Sequence, residues 1–300
     1  TWVYLKSLDS ASLKSTKGVL IMTTLNQTGA NLDYHVTGDN GPVLILIPGA
    51  NGTGNIFQGA AKFLQHKFTV VTYDRRGYGN SKLTESLPDE VADIRSTYRV
   101  KTDARDVAAL AKKLSPNAPV YIMGSSSGSI VAMETLQDYP DIVKGIAFHE
   151  PPINSFLPNA KQDQANNNAI VKTAFEQDMG AAMKKFGQFM RIGELDAKMM
   201  SKPAVALSGN DDPAIAGMKY WFQYEIRQYT SRKIDIDQLA KYSDRIHLLN
   251  GTDSVGSYPQ DVNAFLANYW HLPIYDIPGG HLGYAQKPEG FATTLEAVLL

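Results

Sequence analysis

The sequence predicts an α/β fold, a mostly parallel sheet of eight strands with helices on both faces and one inserted helical segment. Three observations lead there. Short, continuously apolar runs alternate with helical stretches. Glycine-rich turns follow the carboxyl ends of those runs. The alternation lapses once, between residues 151 and about 242, and then resumes.

The elements follow in order. Val19–Leu25 and Asn31–Thr37 carry β-branched and apolar residues between turn signals, and are expected to open the sheet as an antiparallel pair. Val43–Ile47, ended by Pro48-Gly49, is apolar throughout, as a strand buried on both faces must be. Phe68–Tyr73, Val120–Met123 and Val143–Phe148 have the same character. Between them, Arg99–Leu114 sets Ala104, Val107, Ala108, Ala111 and Leu114 on one helical face. Ser129–Tyr139 reads as a helix that Pro140 stops. From 151 to about 242 the chain is polar and helical, with Met179, Met183, Phe186 and Met190 spaced by three and four, and with breaks at 166–168 and Pro203. Strand runs return at Ile246–Leu249 and Ile274–Ile277, and a last helix starts at Pro288. Residues 1–150 and 243–300 are therefore expected to form one core, with 151–242 inserted as a helical cap. Met179, Met183, Met190, Met218, Trp221 and Phe222 are its candidate pocket-liners, each of which could instead pack the cap's own core.

Composition narrows the function classes. A 300-residue chain buries roughly 75% of its unfolded surface, enough for a substantial core. A formal net charge of −1 offers no basic excess to neutralise phosphates, so a nucleic-acid partner is not expected. With no cysteine there is no disulfide, thiol nucleophile or cysteine-held metal, which fits a reducing, cytoplasmic setting. The chain starts at Thr1, so a removed leader stays open as an alternative. No apolar run nears the roughly 20 residues of a membrane span. No cofactor or metal site is expected, since no ligand cluster has metal spacing. Gly49-Ala50-Asn51-Gly52-Thr53-Gly54 fits neither G-x-G-x-x-G nor a phosphate-binding loop.

The chemistry-bearing signal is Gly124-Ser125-Ser126-Ser127-Gly128, a G-x-S-x-G pattern between a buried strand and a helix. Bulk at either glycine would crowd the tight turn that lifts Ser126 clear of the sheet. The bland alternative is a Gly/Ser turn without chemistry. A serine hydroxyl needs a base. Of six histidines, His281 in Pro278-Gly279-Gly280-His281 lies just after the last strand, at the same sheet edge as Ser126. His35, His66, His247 and His271 sit where structural or surface roles are expected, and His149 could line the site. Two carboxylates compete to orient the base: Asp253, following Ile246–Leu249, is the expectation, and Glu150, following Val143–Phe148, is the alternative. Each also has a purely structural reading, an Asx turn for Asp253 and a buried support for Glu150. The backbone N–H groups of Ser127 and Ala50 are the candidate oxyanion donors.

Together these segments resemble the α/β-hydrolase superfamily. They are Pro-Gly-Ala-Asn-Gly at 48–52, Tyr-Asp-Arg-Arg-Gly-Tyr-Gly-Asn-Ser at 73–81, the serine turn at 124–128, His-Glu-Pro-Pro at 149–152, Gly-Thr-Asp-Ser at 251–254 and Pro-Gly-Gly-His at 278–281. The chain departs from many members in carrying Pro48-Gly49 where they carry His-Gly. The resemblance implies the α/β-hydrolase fold and a serine hydrolase acting on a small-molecule ester, lactone or related acyl bond. It also leaves room for a C–C bond hydrolase or a receptor-like fold with little turnover. Most members place the acid where Asp253 stands, and some lactone-hydrolysing members place a glutamate where Glu150 stands. The resemblance disfavours the relatives with an aspartate nucleophile, because serine occupies the centre of the turn. Oligomeric state is not legible.

Overall fold

The computed structural model describes residues 21–50, 52–200 and 213–300. Its elements begin with β1 (Ile21–Gln27), β2 (Ala30–Thr37), β3 (Val43–Ile47), α1 (Gln58–Leu64), β4 (Thr69–Tyr73) and β5 (Lys82–Leu83). They continue with α2 (Tyr98–Leu114), β6 (Val120–Ser125), α3 (Ser127–Asp138) and β7 (Val143–His149). Then come α4 (Ala160–Glu176), α5 (Met179–Met190), α6 (Glu194–Met200), α7 (Pro213–Tyr224), α8 (Ile226–Thr230) and α9 (Ile236–Ala240). The chain closes with β8 (Ile246–Gly251), α10 (Tyr258–Trp270), β9 (Ile274–Ile277), α11 (Gly283–Gln286) and α12 (Pro288–Leu299).

Eight strands run in the order β1-β2-β4-β3-β6-β7-β8-β9, and the short β5 adds a ninth against β2. The pairs made by β1, β2 and β5 are antiparallel. From β4 through β9 every pair is parallel. This is the mostly parallel sheet that the sequence predicts. Val19 and Leu20 of the first expected strand, Asn51 and the Pro203 break lie outside the described residues. The helix expected from Ser129 begins two residues earlier, so the turn carrying Ser126 is as tight as strand-to-helix geometry allows. The element β5 has no counterpart in the expectation, being too short for either period to register.

The apolar runs are continuous because both sheet faces are covered. Along β3, Ile45 and Ile47 join a core with α2, α3 and α10, while Leu44 and Leu46 join another with α1 and α12. Each fully buried side chain of this kind contributes about 1.5–3 kcal/mol relative to exposure. Between β7 and β8 the described residues form helices and connecting turns, without strands. These helices hold a core of their own: Ile170, Val171, Met179, Ala182, Trp221, Phe222 and Ile226, closed by Tyr78. Among the described residues no helix is long and apolar enough to cross a membrane.

Candidate active site

Parallel register sets out the site. Ser125 pairs with His149, and His149 with Leu249. The ladder extends one step beyond the strands: Ser126 N–H donates to His149 O at 2.9 Å, and Glu150 N–H donates to Leu249 O at 3.2 Å. Ser126 and Glu150 thus leave neighbouring strands at the same height on the carboxyl edge, where α/β sheets hold their ligands.

Both residues have a positive φ, 56° at Ser126 and 48° at Glu150. The two other described non-glycine residues of this kind, Arg191 and His271, end helices in the left-handed form that helix termini favour. Ser126 and Glu150 have no such reason, and each holds a conformation that costs of order 1–3 kcal/mol. The flanking glycines make the serine turn possible: a Cβ on Gly124 would sit 2.2 Å from Gly128 O, and one on Gly128 would sit 2.3 Å from Ile47 O. Ser129 Oγ braces the turn, lying 2.6 Å from Gly124 O and 2.9 Å from His149 O, with one hydroxyl proton to share between them.

His281 follows β9 and is buried, with its Nδ1 2.6 Å from Glu150 Oε2. The other carboxylate oxygen of Glu150 accepts from Gly251 N–H at 2.9 Å, from Gln260 Nε2 at 3.0 Å and from the Ser254 hydroxyl. Burial pushes the Glu150 pKa up, but the His281 bond, the charges of His281 and His149 and the Ser254 bond outweigh it and hold the group at about 2. An ionised Glu150 can only accept, so Nδ1 of His281 carries the proton, leaving Nε2 as the basic nitrogen. For His281, burial lowers the pKa, while the bond and charge of Glu150 and then the charge of Asp196 raise it above the ordinary imidazole value.

Asp253, the expected partner of His281, does not meet it. Its side chain is exposed and lies 2.6 Å from Lys287 Nζ, while its backbone N–H donates to Gly279 O. The cause is its place in the chain. Glu150 is the first residue past the ladder, whereas Asp253 stands past Gly251 in a turn that points outward. The same turn sends the Ser254 hydroxyl inward to Glu150. The alternative candidate, Glu150, is the carboxylate brought to His281.

Ser126 and His281 line one cavity of about 90 Å³, with Gly49 and Ala50 from the loop after β3. Phe186, Met190, Ile192 and Met200 from the segment between β7 and β8 supply an apolar wall. Of the six side chains nominated for that wall, Met190 reaches it. Met179, Trp221 and Phe222 lie in the helices' own core, and Met183 and Met218 pack against it. His149 stays behind the site, fully buried, with Nδ1 2.9 Å from Ser125 Oγ and its ring 6.1 Å from that of His281. Burial lowers its pKa to about 4. Among the described residues no group of three or more His, Asp or Glu is placed to hold a metal ion.

Among the buried carboxylates that escape the sequence reading, three bear on the site. Asp196 of α6 contacts the His281 loop. Glu225, between α7 and α8, bonds Arg75 Nη2 at 2.6 Å and accepts from Ser127 Oγ at 2.8 Å. Asp103 of α2 bonds Arg75 Nη1 at 2.8 Å and the Tyr229 hydroxyl at 2.7 Å. Arg75 Nη2 also donates to Gly49 O at 2.7 Å. One buried ion cluster thereby touches both loops that carry the candidate oxyanion donors. A lone acid directly after the aromatic run Tyr220–Tyr224 is the signal that could have singled out Glu225, while Asp196 has no local mark.

A family model described as alpha/beta hydrolase fold matches residues 42–299. A Bacillus subtilis (strain 168) protein named uncharacterized hydrolase YraK is 28% identical over 281 residues, covering 92% of this chain and 95% of its own length. Among solved structures, an alpha/beta hydrolase from Sphaerobacter thermophilus superposes with a TM-score of 0.64 at 19% identity, over 93% of this chain and 100% of its own. A thermophilic esterase from Thermogutta terrifontis superposes equally, at 0.64 and 18% identity, over 94% of this chain and 100% of its own. At such identities the structural likeness establishes the fold.

Proposed function

The chain belongs to the alpha/beta hydrolase fold family, and within it we propose a serine hydrolase that cleaves a small carboxylic ester, lactone or related acyl bond. The observation that carries this reading is the 2.6 Å bond between His281 Nδ1 and Glu150, at a cavity that the strained Ser126 also lines.

His281 Nε2 takes the Ser126 proton as Oγ attacks the acyl carbon. Glu150 holds the imidazole in its Nδ1–H tautomer and stabilises the imidazolium as it forms. The Ala50 and Ser127 N–H groups stabilise the oxyanion, helped by the amino end of α3 at Ser127. His281 then protonates the leaving alcohol, and an acyl group stays on Ser126. Water, deprotonated by the same imidazole, releases the acid and restores the serine. The small, largely apolar cavity favours a short acyl group. The helices between β7 and β8 act as a cap, since they supply its apolar wall. The esterase from Thermogutta terrifontis offers a parallel in name and fold.

The test is an assay with short acyl esters, lactones and thioesters beside fluorophosphonate labelling. Ser126→Ala is expected to abolish labelling and to cut turnover by several orders of magnitude, leaving roughly the 10³–10⁴-fold residual over water that binding and oxyanion donors provide. Wild-type turnover and labelling in that variant would refute the mechanism.

A further inference from the structure

We propose that Asp196, contributed by the helical segment inserted between β7 and β8, is a positioning residue for His281, so that the base is held in place only while that segment is seated. The proposal rests on the serine-hydrolase reading above.

Asp196 is fully buried, and its side-chain bonds among the described residues go to the loop of the base and to Gln286 at the end of α11 that follows it. Oδ2 accepts from His281 N–H at 2.9 Å. Oδ1 accepts from Leu282 N–H at 3.0 Å and from Gln286 Nε2 at 2.8 Å. Gln286 Oε1 in turn accepts from Gly280 N–H at 2.7 Å. Three consecutive backbone donors around the base are therefore satisfied by one carboxylate and the amide it holds. The approach leaves no room for a Cβ while the carboxylate keeps its place: one on Gly280 would meet Asp196 Oδ2 at 2.5 Å and Oδ1 at 2.7 Å. A glycine beside the base and a buried acid far earlier in the chain thus make one contact.

Energetics couple the two segments. A buried carboxylate without donors is very costly, and among the described residues the loop and Gln286 supply the donors that Asp196 has. Lifting α6 away would strand the carboxylate or wet it, and would free the backbone at 280–282. Loss of about 1 Å in the placement of a catalytic group can cost about 100-fold in rate. Asp196 also lines the cavity with Phe186, Met190, Ile192 and Met200 of the same segment, so substrate-filling side chains and the brace on the base move together.

Electrostatics act in the same direction. The titratable groups facing His281 are Glu150 and His149 at the end of β7, Asp196 on α6 and Tyr284 on α11. Glu150 is bonded to the ring, and Asp196 adds a second negative charge that favours the imidazolium formed during proton transfer.

The experiment compares Asp196→Asn with wild type and with Ser126→Ala on one short p-nitrophenyl ester. The asparagine replaces an acceptor by an N–H donor and removes the charge. We expect kcat to fall about 10- to 100-fold with KM little changed. The acid limb of the kcat/KM profile should move to lower pH, and fluorophosphonate labelling should slow with kcat. A merely structural anchor would lower stability and leave that limb in place. Unchanged kcat and an unmoved limb, with Ser126→Ala inactive, would overturn the proposal alone. An active Ser126→Ala would overturn the serine mechanism itself. Should the asparagine variant not fold, Gln286→Met removes one donor and leaves the charge. A lower kcat at unchanged KM is expected there, and wild-type kcat would overturn the proposal.

Discussion

Glu150 and His281, 131 residues apart in the chain, meet through a 2.6 Å bond in which the glutamate bears the charge and the imidazole the proton. The second oxygen of Glu150 is filled by Gly251, Ser254 and Gln260, none of them charged. Glu150→Gln keeps the shape and discards the tautomer control. Turnover should fall by up to about 10⁴-fold. Asp253→Asn should stay within about twofold of wild type, because Asp253 is exposed and faces Lys287. Parallel ester assays of the two variants check this, and a crippled Asp253→Asn beside a healthy Glu150→Gln would reverse the assignment.

The same bond should set the pH dependence of the proposed reaction. In that mechanism His281 serves as a base only when Nε2 is unprotonated, and its pKa lies above the ordinary imidazole value. Activity should therefore fall as pH drops through a value higher than about 6.5. In Glu150→Gln the imidazolium loses its bonded anion, so the residual activity should persist to lower pH. A kcat/KM profile of both proteins measures the limb, and an upward shift in the variant would contradict the argument.

Stability should respond to acid through His149 as well as through the Glu150–His281 pair. His149 is buried neutral, with its pKa lowered to about 4 by burial. A folded pKa below the unfolded one means that the unfolded chain binds the proton first. Stability is then lost as pH falls from about 6.5 to 4, by up to about 3 kcal/mol. Glu150, at about 2, holds stability that is present above its unfolded pKa near 4.5 and lost below it. The raised pKa of His281 reports the same pair from the other side: its share is complete below about 6.5 and fades as pH rises through the folded value. Urea unfolding at pH 7, 5.5 and 4.5 should show falling stability, and His149→Gln should flatten it. A slope unchanged in that variant would exclude His149 as its source.

Legibility followed the physics of each feature. The core strands could be read because burial on both faces demands unbroken apolar runs, as in Val43–Ile47. Ser126 could be read because two glycines must flank so tight a turn. The acid could not, because Glu150 and Asp253 both follow buried strands. What separates them is a positive φ at Glu150 and the outward turn past Gly251, and neither is written in residue types. Asp196 and Glu225 were missed for a different reason. Asp196, on a polar helix, reads as a solvated side chain, the aromatic run before Glu225 does not say what the acid meets, and only the tertiary fold brings their partners, which lie 85 and 150 positions away.

The Arg75–Glu225 pair gives the sharpest test of how the inserted segment and the sheet are joined. Both side chains are fully buried. Burial pushes the Glu225 pKa up, and the charges of Arg75 and Arg99 bring it below the usual carboxylate value. Glu225→Leu would leave Arg75 and Arg99 facing Asp103 alone, and Arg75→Met would leave Glu225 with Arg99. Each single change should cost about 3–5 kcal/mol, because each strands a buried charge. The double variant removes both charges and should cost clearly less than the sum of the two. Turnover should not recover with stability. Arg75 also holds Gly49 O at 2.7 Å, and Glu225 holds Ser127 Oγ at 2.8 Å, so the double variant frees both loops beside the oxyanion donors. Urea unfolding of the four proteins, with kcat measured on each, separates the two effects. Additive losses of stability would show that the pair is not coupled, and full turnover in the double variant would show that it does not position the donors.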